Sequence, residues 1–360
     1  MIGARRWDPC VSHKGAEATG FIADFFRDAS RKILLVAGAG FDPRSTSACA
    51  AMAVAAGPRT TGAFIREQRP DPQPELLRRA EANSATMRSL VAAGTEVCID
   101  VFAADGAVIG GRAATLAIQK FPLSDFTDVV VDLSALSVGV AYPLVRYFFQ
   151  RLAAKAAPNL HILVTDEPTT DGAITAIASD RVGTVHGFQG GFGLDKNAKG
   201  VKLWLPQLVS GKRSILDRIR SYVDPHEVCP ILPFPAIHPR LADELIEHYG
   251  EELENTWEVD SRNVLYADQR NPLDLYRTVL RIDDARKRIF ETVGGSMVIL
   301  SPIGSKALAV GALMAAMERD FPVAYVEAID YRVDFNLMDQ RHDEGRELIH
   351  VWLMGEAYQP

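Results

Sequence analysis

The run "DVVVD", Asp128 to Asp132, has no polar residue between its two acids. A strand that is apolar on both faces must be covered on both faces, which is the condition of a parallel sheet wrapped by helices. The same kind of run recurs along the chain. "KILLVAG", "GAFIRE", "EVCIDVF", "DVVVDLS" and "LHILVTD" occupy the first half, and "KLWLPQLV", "EVCPILPF", "NVLYAD", "SMVILS" and "VAYVEA" the second. Helical stretches such as "PELLRRAEANSATMRSLVAAG" and "PRLADELIEHYGEELENTW" lie between them. This alternation predicts an α/β fold.

A chain of 360 residues has room for two such sheets. The halves also resemble each other in design. "DVVVDLSALSVGVAYPLVRYFFQR" and "SMVILSPIGSKALAVGALMAAMER" are each a strand, a short serine-bearing loop and an apolar helix, about one small domain apart. The expectation is two Rossmann-like parallel-sheet units lying face to face, arranged as a pseudo-duplication, with domains 1–190 and 191–360. The joint falls in the glycine-rich "VHGFQGGFGLDKNAKG", with Lys196 and Lys199, which has no apolar period.

Charge narrows the function. The formal net charge is −7, a poor match to the phosphates of duplex nucleic acid. No apolar run reaches the length of a membrane span. "MIGARRWDPC" is not followed by a signal-peptide core, so the expected location is cytoplasmic. The four cysteines are scattered without a C-x-x-C pair, and the eight histidines form no H-x-x-x-H spacing, so no metal site is expected.

In an open parallel sheet, ligands bind beyond the carboxyl ends of the strands. The first such loop is "GAGFDPRS", after "LLVA". Gly38 and Gly40 permit a tight turn, Asp42 and Arg44 supply charge, and the small-residue helix that follows offers free N–H groups. The alternative is a strand-to-helix turn with an Arg44–Asp42 surface pair. "GAGFDPR" resembles the first motif of class I S-adenosylmethionine-dependent methyltransferases, in particular their leucine-carboxyl-methyltransferase-like branch, over residues 33–170. Pro43 departs from that branch's pattern. The resemblance implies a loop that cradles the methionine end of the cofactor and an acid after the second strand, here Glu67, that holds the ribose. If Arg44 is an exposed ligand residue, Arg44→Ala is expected to spare the fold.

Three further loops carry candidates. Asp132 and Ser134 close "DVVVDLS", where the acid can catalyse, hold a ribose or cap the next helix. "SGKRS" sets Lys212 and Arg213 at a helix start, either as an anion seat or as a solvated basic turn. "SPIGSK" offers Gly304, Ser305 as a cap and Lys306 in the first helical turn, where a cation opposes the helix dipole unless an anion lies between. The competing role for Lys306 is a pair with Glu327. This last loop is similar to that of nucleotide-sensing CRISPR-associated Rossmann-fold domains, over residues 295–320. Asp268, Arg270, Asn271 and Asp274 cluster after "NVLYAD", and His186, His226, His238 and Asp330 are less committal.

The functional expectation is a protein that binds a nucleotide-type or other anionic small molecule between its two lobes, as a sensor or an enzyme. Arg44, Lys212, Arg213 and Lys306 would meet phosphate, and Glu67 or Asp132 ribose. Asp42, Asp132 and Asp268 are the catalytic candidates, and the cofactor is a nucleotide or S-adenosylmethionine. The alternatives are a methyltransferase confined to the first half, a two-lobed glycosyltransferase and a non-catalytic scaffold. A protein partner or a homodimer stays open.

Overall fold

The computed structural model describes residues 5–153, 157–190, 200–340 and 345–358. Lys196 and Lys199 of the glycine-rich joint lie outside them. The chain forms two compact units, Arg6–Ile177 with Ile329–Pro360, and Ala178–Ala328 with Met1–Arg5. The division therefore does not fall at residue 190. The tail of the chain returns to the first unit, because its last strand pairs with that unit's sheet.

In the N-terminal unit the strands are β1 (Ser12–Lys14), β2 (Ile33–Gly38), β3 (Thr60–Gln68), β4 (Ala93–Asp100), β5 (Asp128–Asp132) and β6 (Asn159–Asp166). With the returning β14 (Glu347–Met354) they form one sheet, ordered β1-β14-β6-β5-β2-β3-β4. β2 to β6 are parallel, while β14 runs antiparallel to β6 and to β1. Every residue of β2, β5 and β6 is buried, as expected of strands with apolar middles covered on both faces. The helices are α1 (Ala16–Phe25), α2 (Ser47–Ala55), α3 (Pro74–Leu90), α4 (Gly110–Ile118), α5 (Val138–Arg151) and the short α6 (Pro168–Ala173), with α11 (Phe335–Asp339) added from the tail. One core packs Ile22 of α1, Phe26 at its C-cap and Cys49 and Met52 of α2 on Leu35, Val130 and Leu163 of the sheet.

β7 (Ile174–Thr184) and β13 (Ala324–Val333) carry the chain across the division and pair with each other. The C-terminal unit holds β8 (Val201–Pro206), β9 (Glu227–Val228), β10 (Ile231–Pro233), β11 (Leu265–Ala267) and β12 (Ser296–Ser301). Its helices are α7 (Arg213–Val223), α8 (Leu241–His248), α9 (Pro272–Phe290) and α10 (Lys306–Arg319). β8 lies between β12 and β9, and β10 pairs with β11, all parallel. Single parallel bridges join Gln207 to Ile231 and Leu300 to Val323. Pro230 splits the run "EVCPILPF" into β9 and β10, since proline cannot donate to the ladder.

Both units thus build their parallel strands in one order. The first strand, β2 or β8, is central. The chain steps outward through the next two positions, then crosses to the first strand's other side at β5 or β12. Each unit therefore has a switch point, between β2 and β5 or between β8 and β12. The shared order is what the paired strand–loop–helix segments of the two halves express.

α10 is buried from Ala307 to Ala316, all round. Gly311 serves its packing on α9, because a Cβ there would lie 2.3 Å from the Pro272 carbonyl oxygen. The contact is backbone against backbone, so neither side can yield like a flexible side chain. Gly311→Ala is expected to destabilise the protein by about 1–3 kcal/mol, read as a lower midpoint in urea unfolding.

Candidate functional site

At the switch point of the N-terminal unit, Gly38 ends β2. A Cβ on it would lie 2.8 Å from the Ala135 carbonyl oxygen, so the loop after β5 closes directly over it. Gly40 faces open space. Asp42 caps the 3-10 turn Pro43–Thr46 by accepting the Arg44 N–H at 2.9 Å. Arg44 is 2% exposed. Its Nε and Nη2 donate to the Asp42 carboxylate at 3.0 and 2.7 Å, and its Nη1 donates to Asp171 at 2.8 Å. Burial opposes the guanidinium's charge, but Asp42 and Asp171 outweigh it and push its pKa further up. The expectation of an exposed Arg44 is therefore corrected. The arginine is sandwiched between two carboxylates because it links the strand-to-helix turn to α6. Asn83 of α3 fixes the same turn by donating to the Gly40 and Asp42 carbonyls at 2.9 and 3.0 Å.

Glu67, at the end of β3, is equally engaged. Its Oε1 accepts the N–H of Ser137, the residue just before α5, at 2.8 Å, and its Oε2 accepts from Arg69 at 2.8 Å. Glu67 therefore occupies the helix N-terminus with its own carboxylate. Asp132 accepts from the Ser134 backbone at 3.0 Å and from its hydroxyl. That hydroxyl accepts the Thr165 N–H at 2.8 Å. Burial first and Asp132 second push the nearby Cys49 thiol up to about 12, so it stays protonated.

The switch point of the C-terminal unit differs. Gln207, 1% exposed beyond β8, accepts the Gly304 N–H at 3.1 Å, and a Cβ on Gly304 would lie 2.6 Å from that oxygen. Ser305 caps α10, accepting the Leu308 N–H at 3.2 Å and donating to the Gln269 carbonyl at 3.0 Å. Gln269 in turn accepts the Ile237 N–H at 3.0 Å. The loops after β8, β10, β11 and β12 are thereby tied together around the start of α10. Lys306 is the first residue of that helix.

The "SGKRS" cations separate. Arg213 turns to Glu252, 3.0 Å away, and to the His248 carbonyl. Lys212 is half-buried just before α7, and desolvation lowers its pKa. No carboxylate pairs with it among the described residues. Asp268 accepts the Arg270 N–H at 3.0 Å. Asp42, Asp132 and Asp268, the three catalytic candidates, thus share one geometry: each accepts the N–H two residues on, an Asx turn. Asn271 caps α9, and Asp274 accepts the Asp268 N–H. His226 accepts from Lys202 near the start of β8, away from the carboxyl ends. His238 pairs loosely with Glu244, and Asp330 accepts from Gln73. Glu327 is buried and accepts the Ala328 N–H. Among the described residues, no group of three or more His, Cys, Asp or Glu side chains is placed to hold a metal ion.

Sequence reasoning missed Gln207, Asn83 and Asp171, which carry no motif. It also passed over His161 and His350, for which a signal existed: each interrupts an apolar run, "LHILV" and "LIHVWL".

No protein-family model matches the chain, and no curated protein does. Among solved structures, it is similar to a universal stress protein from Pseudomonas aeruginosa UCBPP-PA14. The identity is 8% and the TM-score 0.26, over 86% of this chain and 96% of that one. A universal stress protein from Archaeoglobus fulgidus DSM 4304 has 8% identity and a TM-score of 0.23, over 84% and 97% of the two chains. No helix among the described residues is long and apolar enough to cross a membrane.

Removing Arg44 would leave Asp42, 8% exposed, without its cation. Arg44→Ala is therefore expected to cost about 3–5 kcal/mol of stability, measured by chemical denaturation. A variant as stable as the parent would show that the pair contributes nothing.

Proposed function

We propose that the chain binds an anionic small molecule of the nucleotide type at the carboxyl end of the C-terminal unit's sheet. The observation that carries this reading is Lys212, a partly desolvated ammonium that no carboxylate neutralises among the described residues. It stands in the loop after β8, as does Gln207, which reaches the Gly304 turn before α10. A phosphate group would supply the missing counter-charge, with Lys306 and the first N–H groups of α10 as further donors. The corresponding loop of the N-terminal unit supports such a ligand less, because Arg44 and Glu67 are engaged within the fold.

The reading is one of binding, which suffices for a sensor. In Asp42, Asp132 and Asp268 alike, one carboxylate oxygen is committed to an Asx turn.

The test is calorimetry against inorganic phosphate, mononucleotides, cyclic oligonucleotides, nucleotide sugars and S-adenosylmethionine. A phosphate-bearing ligand is expected to bind, and Lys212→Met to weaken it about 10- to 150-fold, the loss of one charge-assisted contact. The empty Lys212→Met protein is expected to be no less stable than the parent, since it loses a desolvated charge. Absence of binding by every phosphate-bearing probe would sink the reading. Binding of S-adenosylmethionine that Glu67→Gln abolishes would replace it with the methyltransferase one.

A further inference from the structure

Three histidines run in single file through the N-terminal unit. His13 Nδ1 lies 3.0 Å from His350 Nδ1, and His350 Nε2 lies 3.0 Å from His161 Nδ1. His161 Nε2 lies 3.4 Å from Asp128 Oδ1. His13 is partly exposed, while His161, His350 and Asp128 are fully buried. The three rings belong to β1, β14 and β6, and α1 covers them. Phe21 stacks on His13 and on His350 at 4.4 Å, and Phe25 and Phe26 pack on His161. The chain of rings thus fastens α1 and the short β1 to the sheet.

Asp128 sets its direction. A carboxylate only accepts, so His161 carries its proton on Nε2 and accepts at Nδ1. His350 must then donate from Nε2 and accept at Nδ1, and His13 must donate from Nδ1. Its outer Nε2 is left as a lone pair. Each facing pair of nitrogens needs one proton and has one. A proton arriving at His13 Nε2 finds a vacant lone pair and disturbs no bond. It can also pass inward, each bond reversing in turn, with the same result. A second proton has no such place. It sets two N–H groups against each other across a 3.0 Å contact, or it neutralises Asp128.

We infer that this chain is a pH-sensitive latch, which accepts one proton without change and releases β1 and α1 from the sheet with the second. The groups that face it are few. Glu17 of α1 acts on His13, while Arg31 and Glu356 act on His161 beside Asp128. Thr127 and Asn159 hold the Asp128 carboxylate. His13 and His161 themselves are the charges that His350 meets. Burial lowers the pKa of all three histidines, and of His350 most. The unfolded chain therefore takes up protons first, so stability is present above the ordinary histidine range and lost as pH falls through and below it.

Two measurements on the chain as described test the latch. Histidine nitrogen NMR at pH 8 is expected to show Nε2–H on His161 and His350 and Nδ1–H on His13. The opposite tautomer on any of them would overturn the proton assignment. Hydrogen exchange is expected to show β1 and α1 losing protection below about pH 6, roughly tenfold per pH unit for each proton linked to release. Amides of β2 and β5 should stay protected through the same range. Joint loss across the whole sheet, or no loss in β1 and α1, would overturn the latch. His13→Phe keeps a ring on Phe21 and removes one of the titrating imidazoles, so its α1 protection should fall less steeply with pH, by one linked proton. An unchanged profile in this variant would show that other groups set it.

Discussion

Where neighbouring parallel strands send their chains off in opposite directions, the sheet opens at their carboxyl ends, and only loop atoms or a ligand can fill the opening. The rest of this structure is arranged around two such openings. Between β2 and β5 the filling is internal. Gly38 leaves space for the Ala135 carbonyl, Asp42 and Asp132 turn back onto their own loops, and Glu67 sits at the start of α5. Between β8 and β12 the backbone is fitted as tightly, with Gly304 against Gln207. The charges there are not balanced in the same way, because Lys212 keeps no carboxylate beside it among the described residues.

Burial explains why the first opening closes itself. A desolvated guanidinium is tolerable only when its donors are used, and Arg44 reaches two carboxylates. Once Asp42 and Asp171 are in place, the cluster carries no net positive charge with which to attract a phosphate. The sequence feature that suggested a ligand, an acid and a base beside a glycine turn, is also what a buried ion pair needs. Spacing alone does not separate the two.

Much of the fold was nonetheless legible. β2, β5, β6, β8 and β12 follow from predominantly apolar runs, and each ends at a loop marked by glycine, serine or aspartate. β1, β7 and β14 are not legible in the sequence, because they stand outside its strand–helix alternation. β14 is the consequential one, since its pairing with β6 draws the end of the chain back to the first unit. Of the candidate site, Ser305 as the cap of α10 was legible from its place before the small-residue helix. Arg213 was not, because its partner Glu252 lies on a segment whose approach no local pattern announces.

The strand "DVVVD" shows how one sequence pattern yields two kinds of site. Its three valines exclude polar atoms from the middle of the sheet, so the charge collects at its ends. Asp132, at the carboxyl end, meets the backbone N–H of the loop that leads to α5. Strands end there beside helix N-termini, which offer donors. Asp128 is at the amino end, where helices finish and present carbonyls. Arg59 shows this, donating to the carbonyls of Phe26, Arg27 and Ala55 after α1 and at the end of α2. An acid in such surroundings finds few backbone donors and must recruit side chains. Asp128 takes them from Thr127, Asn159, Arg31 and His161. A histidine recruited in this way needs a partner for its second nitrogen, and inside a sheet that partner comes from the next strand. The row of imidazoles is therefore the consequence of burying a carboxylate at the wrong end of a parallel strand. Its sensitivity to protons follows from the same cause, because every member was chosen for the single proton it can give and the single one it can take.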